Sequence, residues 1–329
     1  VRRAVVPSDD AKGHNELVSC AAIGEDDNGG AVLATGGWDG TVRRWRWSGA
    51  GGAGGAGVLT GGKPLQGHTD RVEFACIKPS EGGGGSGEQL LLTGGRDCTL
   101  HLWDLSQSSG AAAKKTRIYT YDSIASGCVD WGAPGGAGAT AAVGARSGVV
   151  ALWDIAKGSK KATLRGHEGE VTALVACEMP TGGGGGGEGG GTPVFVSGGA
   201  DGTARVWDPR QSREIAVLRG HSRRVYSLAA GPHGVVFAGD FSDAVKVHDL
   251  AALGKKAPAL LPNAPVSDGA AAPIAGLQYR ALKHGGGGGL LFSTAAWFPP
   301  GDDPDADVQG CVQVRAVDAK GAGVVAKGG

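Results

Sequence analysis

Several things that would mark a common function class are scarce in this chain or missing from it. There is no net charge: 32 Lys and Arg balance 32 Asp and Glu over 329 residues. That removes the electrostatic argument for nucleic acid as the main partner, because phosphate binding rests on surplus Lys and Arg. No apolar run approaches the roughly 18 to 20 residues that cross a bilayer, so no membrane insertion is expected, and no signal-peptide pattern opens the chain. The six cysteines, Cys20, Cys76, Cys98, Cys128, Cys177 and Cys311, are scattered and form no C-x-x-C pair. This argues against a zinc site or a disulfide framework and fits a reducing, intracellular compartment, cytoplasm or nucleus. Met179 is the single methionine and the chain begins at Val1. It is therefore expected to be a fragment, a processed chain or an incomplete gene assignment, with room for an N-terminal module now missing.

Glycine, by contrast, is abundant, with 64 residues. Much of it falls in clusters near 48–57, 80–88, 132–138, 178–193 and 284–289. Such stretches cannot bury enough apolar surface to offset chain entropy, so they read as flexible insertions. One of them, GAGGAG at 49–54, matches G-x-G-x-x-G literally. It has no strand-then-helix context and carries no weight as a nucleotide site.

With the insertions set aside, the chain repeats. LATGGWDGTVRRWRW ends at Trp47, LLTGGRDCTLHLWDL at Leu105, AAVGARSGVVALWDI at Ile155, VFVSGGADGTARVWDP at Pro209 and VVFAGDFSDAVKVHDL at Leu250. A weaker sixth copy is split between LLFSTAAW at 290–297 and GCVQVRAVD at 310–318. A Gly-His element precedes most copies, at His14, His68, His167 and His221. Within each unit the apolar period is two, with β-branched residues and a short G-x-D-G-type turn between runs, which is strand and hairpin chemistry. No long amphipathic helix is expected. The reading is all-β, in four-stranded units.

These residues resemble the WD-repeat family of β-propellers over about residues 13–318. The motif is Gly-His, then Ser or Thr, an Asp four residues later, and a Trp six beyond that. It is met by His14, Thr35, Asp39 and Trp45, by His68, Thr93, Asp97 and Trp103, and by His167, Ser197, Asp201 and Trp207. The resemblance implies six recognisable blades, with seven the commonest family number, in one propeller domain over 1–329. Residues 1–12, which open with VRRAVVP, would supply a ring-closing strand, and GVVA at 323–326 competes for that role. It also implies that each His, hydroxyl, Asp and Trp form one hydrogen-bonded chain inside a blade. Ser197, His167 and Asp201 then read as scaffold rather than as a catalytic triad, because the set recurs three times and its serine would be buried. No catalytic residue, metal or cofactor is expected. Repeats three, five and six lack parts of the motif and are expected to be less stable.

Family members of this kind are mostly non-catalytic scaffolds for protein–protein interaction within multiprotein complexes. The glycine-rich insertions fall mainly between first and second strands, so the opposite face keeps short, defined loops. Binding is expected there, because rigid presentation lowers the ordering cost of association. Candidates are the residues just before the turn Asp or its equivalent (Trp38, Arg96, Arg146, Ala200, Phe241) and those of the leading loops (Arg71, Glu170, Arg223, Arg224). The run VRRWRW at 42–47 is read as a strand with aromatics on one side and charges on the other. A second reading comes from WDPR at 207–210, which resembles the box of WD-repeat substrate receptors of cullin–RING ubiquitin ligases. There Arg210 would dock on the ligase adaptor.

Overall fold

The computed structural model describes residues 13–25, 30–48, 58–79, 89–105, 113–132, 138–180, 191–221, 223–240, 244–253, 259–262, 274–281, 289–297, 309–317 and 324–325. The glycine-rich stretches 49–57, 80–88, 133–137, 181–190 and 282–288 lie outside these, as do the N-terminal twelve residues, Phe241 and the acidic stretch 298–308.

Among the described residues there are six four-stranded antiparallel sheets, each a meander of consecutive strands. Sheet one holds β1 (Val18–Glu25), β2 (Ala31–Gly37), β3 (Val42–Ser48) and β4 (Val58–Gly61). Sheet two holds β5 (Val72–Ile77), β6 (Leu90–Gly95), β7 (Thr99–Asp104) and β8 (Ala113–Tyr119). Sheet three holds β9 (Ile124–Asp130), β10 (Thr140–Ala145), β11 (Val149–Asp154) and β12 (Ser159–Arg165). Sheet four holds β13 (Val171–Met179), β14 (Thr192–Gly199), β15 (Ala204–Asp208) and β16 (Arg213–Leu218). Sheet five holds β17 (Ser227–Ala230), β18 (Val235–Gly239), β19 (Ala244–Asp249) and β20 (Ala259–Pro262). Sheet six holds β21 (Ile274–Ala281), β22 (Gly289–Trp297), β23 (Gln309–Val317) and β24 (Val324–Val325). The architecture is all-β and built of four-stranded antiparallel blades, as the WD-repeat resemblance implies. The two valines of GVVA form the outer strand of sheet six, pairing as Ala316↔Val325 and Val317↔Val324. The only described helices are two three-residue 3-10 turns, Pro232–Gly234 and Leu250–Ala252, so no described helix is long and apolar enough to cross a membrane.

The chain divides into two compact units, Val1–Ala145 with Leu152–Lys161, and Arg146–Ala151 with Ala162–Gly329. The first has a core built from Val32, Ala34, Val42, Val72, Leu91 and Trp103. The second is centred on Val194, Val196, Ala204, Val206, Val225 and Val236. In both, the middle strands are buried on two faces, which is why β7 is buried at every position and reads as a continuous run instead of an alternation.

In sheets one, three and four the hairpin between second and third strands is closed by a residue in the left-handed region: Gly40 (φ 69°), Gly148 (φ 86°) and Gly202 (φ 73°). In sheet two this place is taken by Cys98 at φ 59°. The hairpins rest on the leading loops. Trp38 N donates to Leu17 O (2.9 Å), Arg96 N to Arg71 O (2.9 Å) and Ala200 N to Glu170 O (2.8 Å). Within each unit the short turns therefore rest on the leading loops. A hydroxyl links successive repeats. Ser19 Oγ donates to Gly36 O or Val72 O, and Thr172 Oγ1 to Gly198 O or Val225 O.

One expectation for VRRWRW needs correction. Arg43 is buried, at 8 % exposure, on the same side of β3 as Trp45. The period of two places residues 43 and 45 together, so charge and aromatic are not fully separated.

Candidate functional site

Three of the six sheets carry the same polar chain. In sheet one, Trp45 Nε1 donates to Thr35 Oγ1 (2.9 Å), which lies 2.8 Å from His14 Nε2, while His14 Nδ1 lies 3.0 Å from Asp39 Oδ1. In sheet two the same contacts join Trp103, Thr93, His68 and Asp97 at 2.9, 2.9 and 3.1 Å. In sheet four they join Trp207, Ser197, His167 and Asp201 at 2.7, 2.7 and 3.0 Å. The order of donors fixes the tautomer. The indole N–H uses the hydroxyl's lone pair, the hydroxyl proton goes to Nε2, and Nδ1–H goes to the carboxylate.

The carboxylate accepts more than the imidazole proton. Asp201 also receives Glu168 N, Thr203 N and Thr203 Oγ1 at 3.1, 3.0 and 2.8 Å. Burial works against its charge, but these donors together hold the carboxyl down at about 2. Asp39 and Asp97 are held low in the same way, by hydrogen bonds that outweigh desolvation. Burial pushes the His167 imidazole the other way from its partner Asp201, and the net effect is a pKa below the usual histidine value.

Sequence reasoning missed one member. Two residues after each turn Asp stands a threonine, Thr41, Thr99 or Thr203, whose hydroxyl donates to that Asp at 2.7 to 2.8 Å. The identical D-x-T spacing in all three copies was the available signal. Two residues further on come Arg43, His101 and Arg205. Arg205 Nη1 lies 2.5 Å from Glu214 Oε2 and covers Gly166, where a Cβ would come within 2.7 Å of that nitrogen.

His68, Asp97 and His101 place three potential metal-ligand atoms within 4.8 Å of one another. The Thr99 hydroxyl stands among them, 2.7 Å from Asp97 Oδ1, 3.3 Å from His68 Nδ1 and 3.0 Å from His101 Nε2. The three groups already converge on an oxygen that occupies the place an ion would need.

The incomplete repeats differ from one another. In sheet three Val143 stands ten residues before Trp153, where sheets one, two and four have a hydroxyl. The Trp153 indole nitrogen is buried and finds no acceptor among the described residues. Sheet five has rebuilt its network. His248 occupies the Trp position, paired with Val236 as Trp207 is with Phe195. Its Nε2 lies 3.2 Å from His221 Nε2, so it replaces the hydroxyl that Ala238 lacks. Asp240, two positions earlier than the usual turn Asp, receives His221 Nδ1 at 3.3 Å and the Lys246 ammonium. Burial, then His221 and Lys246, press the His248 pKa down to about 3.

The interaction candidates fall as follows. The Arg71 guanidinium carbon lies 3.6 Å from the Trp38 ring centroid. Arg96 is ion-paired with Glu73. Arg146 Nε lies 3.5 Å from Glu170 Oε1, and Arg224 Nη2 lies 3.1 Å from Glu170 Oε2. Ala200 is partly buried and Arg223 exposed. The Arg210 side chain is 60 % exposed, with Nε 3.5 Å from Asp208 Oδ1. Leu17, which no sequence argument singled out, is an exposed apolar neighbour of Trp38 at 63 %. The thiols of Cys20, Cys76 and Cys177 are pushed up to about 12 by burial and are unreactive at neutral pH.

Comparison with known proteins gives a consistent picture. A family profile described as "WD domain, G-beta repeat" matches residues 7–46, 62–104 and 158–208. An F-box/WD-40 repeat-containing protein of Arabidopsis thaliana is 29 % identical over 189 residues, covering 56 % of this chain and 31 % of that protein. A WD repeat-containing protein of Schizosaccharomyces pombe is 36 % identical over 99 residues, or 29 % of this chain and 22 % of the relative. The nuclear distribution protein nudF of Emericella nidulans is 27 % identical over 180 residues, or 52 % and 39 %. The chain thus spans less than half the length of each of these relatives.

Proposed function

The chain belongs to the WD-repeat β-propeller family, and on that premise we propose that it is a non-catalytic scaffold joining other proteins in a multiprotein complex. In this reading the six sheets form one propeller over residues 1–329. The observation that carries the reading is the pair Trp38 and Arg71. The guanidinium is stacked on the indole, and the exposed side chain of Leu17 belongs to the same hairpin-and-loop surface. Trp and Arg are the usual anchors of protein interfaces, and both spring from backbone fixed by hydrogen bonds. Catalysis is disfavoured because Ser197 is fully buried, with its lone pair and its proton taken by Trp207 and His167. The described cysteines are free thiols, which accords with a reducing compartment, and this reading puts the protein in the cytoplasm or nucleus. Affinity purification with mass spectrometry, comparing wild type with a Trp38/Arg96/Arg224 triple alanine variant, tests the surface. Loss of partners is expected, and an unchanged partner set would refute the choice of face.

A second reading, substrate receptor of a cullin–RING ubiquitin ligase, is favoured by one observation. Arg210 follows Trp207-Asp208 and is largely exposed, while the backbone N–H groups of Arg210 and Gln211 are bonded to Asp208 Oδ1. The internal network does not need its guanidinium. Co-purification of a ligase adaptor that disappears with Arg210→Ala is the expected result, and no adaptor in the wild-type eluate rejects the reading.

A further inference from the structure

We propose that Arg146, Glu170 and Arg224 form a carboxylate clamp that docks an acidic peptide segment of a partner protein. This rests on the scaffold reading but adds a second site and its chemistry. Glu170 gives one oxygen to each arginine, at 3.5 Å to Arg146 and 3.1 Å to Arg224. The carboxylate is 20 % exposed, whereas the two guanidinium-bearing side chains are 47 % and 41 % exposed. Each guanidinium has five N–H donors in a planar fork, so a single contact to Glu170 leaves an outward edge able to take a second carboxylate. Two cations around one anion leave a surplus of one positive charge.

The site is preorganised. The Arg146 hairpin is pressed onto the loop that leads into sheet four: a Cβ at Gly148 would meet His167 O at 2.6 Å and Gly169 O at 2.9 Å. The main-chain oxygen of Glu170 is tied to Ala200 N, and Val225, next to Arg224, donates its N–H to Gly199 O at 3.1 Å. The three side chains therefore start from fixed backbone, which lowers the ordering cost of binding. Ala200 completes the geometry. Repeats one to three place Trp38, Arg96 and Arg146 before the turn, whereas repeat four has alanine. Nothing longer than a methyl group rises from that position beside Glu170.

Glu170 also sets the choice of ligand. Because it remains in the clamp, the site offers one unit of charge, which matches singly charged carboxylates better than a phosphate near its dianion form.

The test uses the full chain and fluorescence anisotropy of a labelled twelve-residue peptide of alternating Glu and Gly, with a Gln/Gly peptide as control. The Glu peptide should bind and the Gln peptide should bind at least about tenfold more weakly. Arg146→Ala and Arg224→Ala should each weaken binding by about tenfold, and affinity should fall as salt rises. Glu170→Gln should tighten binding severalfold, a gain that an unfolded variant would not give. Equal binding of the two peptides, or indifference to both arginine substitutions, would overturn the proposal. So would a phosphoserine peptide that binds where the Glu peptide does not. Trp38→Ala should abolish partner capture yet leave peptide affinity unchanged, which separates failure of this site from failure of the scaffold reading.

Discussion

Thr99 Oγ1 donates to Asp97 Oδ1 over 2.7 Å, and His101 Nε2 reaches the same hydroxyl at 3.0 Å. A cluster that resembles a metal centre by composition is thus held together by an alcohol. Treatment with EDTA should leave the melting temperature unchanged. Thr99→Val, which keeps the volume and removes the hydroxyl, should cost about 1 to 3 kcal/mol in urea unfolding. A melting temperature that drops in chelator would show that an ion had been bound.

The indoles of Trp207 and Trp153 provide a matched pair. Trp207 Nε1 donates to Ser197 Oγ, while Trp153 Nε1 is buried with no acceptor among the described residues. Trp207→Phe should lose about 1 to 2 kcal/mol, because it breaks a bond and leaves a buried serine lone pair without a donor. Trp153→Phe should be neutral or slightly stabilising, because it removes a donor that was already unsatisfied. Equal losses in chemical denaturation would contradict the assignment.

Acid stability should decline in two stages. His248 and His167 have folded-state pKa values depressed chiefly by burial. Unfolding lets each take up a proton near its ordinary value of about 6.5. Their contributions are therefore complete above that pH and fade as pH falls, for His248 down to about 3. Asp201 adds a later loss between its ordinary value near 4 and about 2. His248→Gln, facing the same Asp240, Lys246 and His221, should flatten the first stage by up to about 1.4 kcal/mol per pH unit. A slope unchanged by that substitution, in denaturant midpoints from pH 4 to 7, would exclude the histidine.

Cys98 holds a left-handed turn that Gly40 and Gly202 hold elsewhere, at φ 59° against 69° and 73°. Cys98→Gly should stabilise by roughly 0.5 to 1 kcal/mol through relief of backbone strain. Gly148→Ala should do the reverse, by about 2 kcal/mol or more, since its Cβ would sit 2.6 Å from His167 O. Thermal melts of the two variants should move in opposite directions.

The strand order and the three complete networks were legible because period-two hydrophobicity and fixed spacing are local properties. Thr35, Asp39 and Trp45 needed only counting. What sequence could not show was compensation. Ala238 and His248 looked like gaps in repeat five, yet a histidine long enough to reach His221 and an aspartate moved two places close the same circuit. Val143, equally a departure from the motif, received no such repair. The burial of Arg43 beside Trp45 was legible but missed: alternation was expected to separate every charge from the aromatics, whereas a period of two sets 43 on the side of 45. Phe241 and residues 1–12, expected to contribute a contact and a closing strand, lie outside the described residues.

The rewired sheet five has a consequence for how this chain can change by mutation. Restoring Ser at 238 alone would add a hydroxyl against a histidine already engaged. Restoring Trp at 248 alone would deprive His221 of its donor while Lys246 still held Asp240. Each single step back toward the common motif is downhill in stability, so reversion requires several changes at once. The hydrogen bonds of sheet five are specific to its own residues, so its side chains are interchangeable with those of sheet four only as a set.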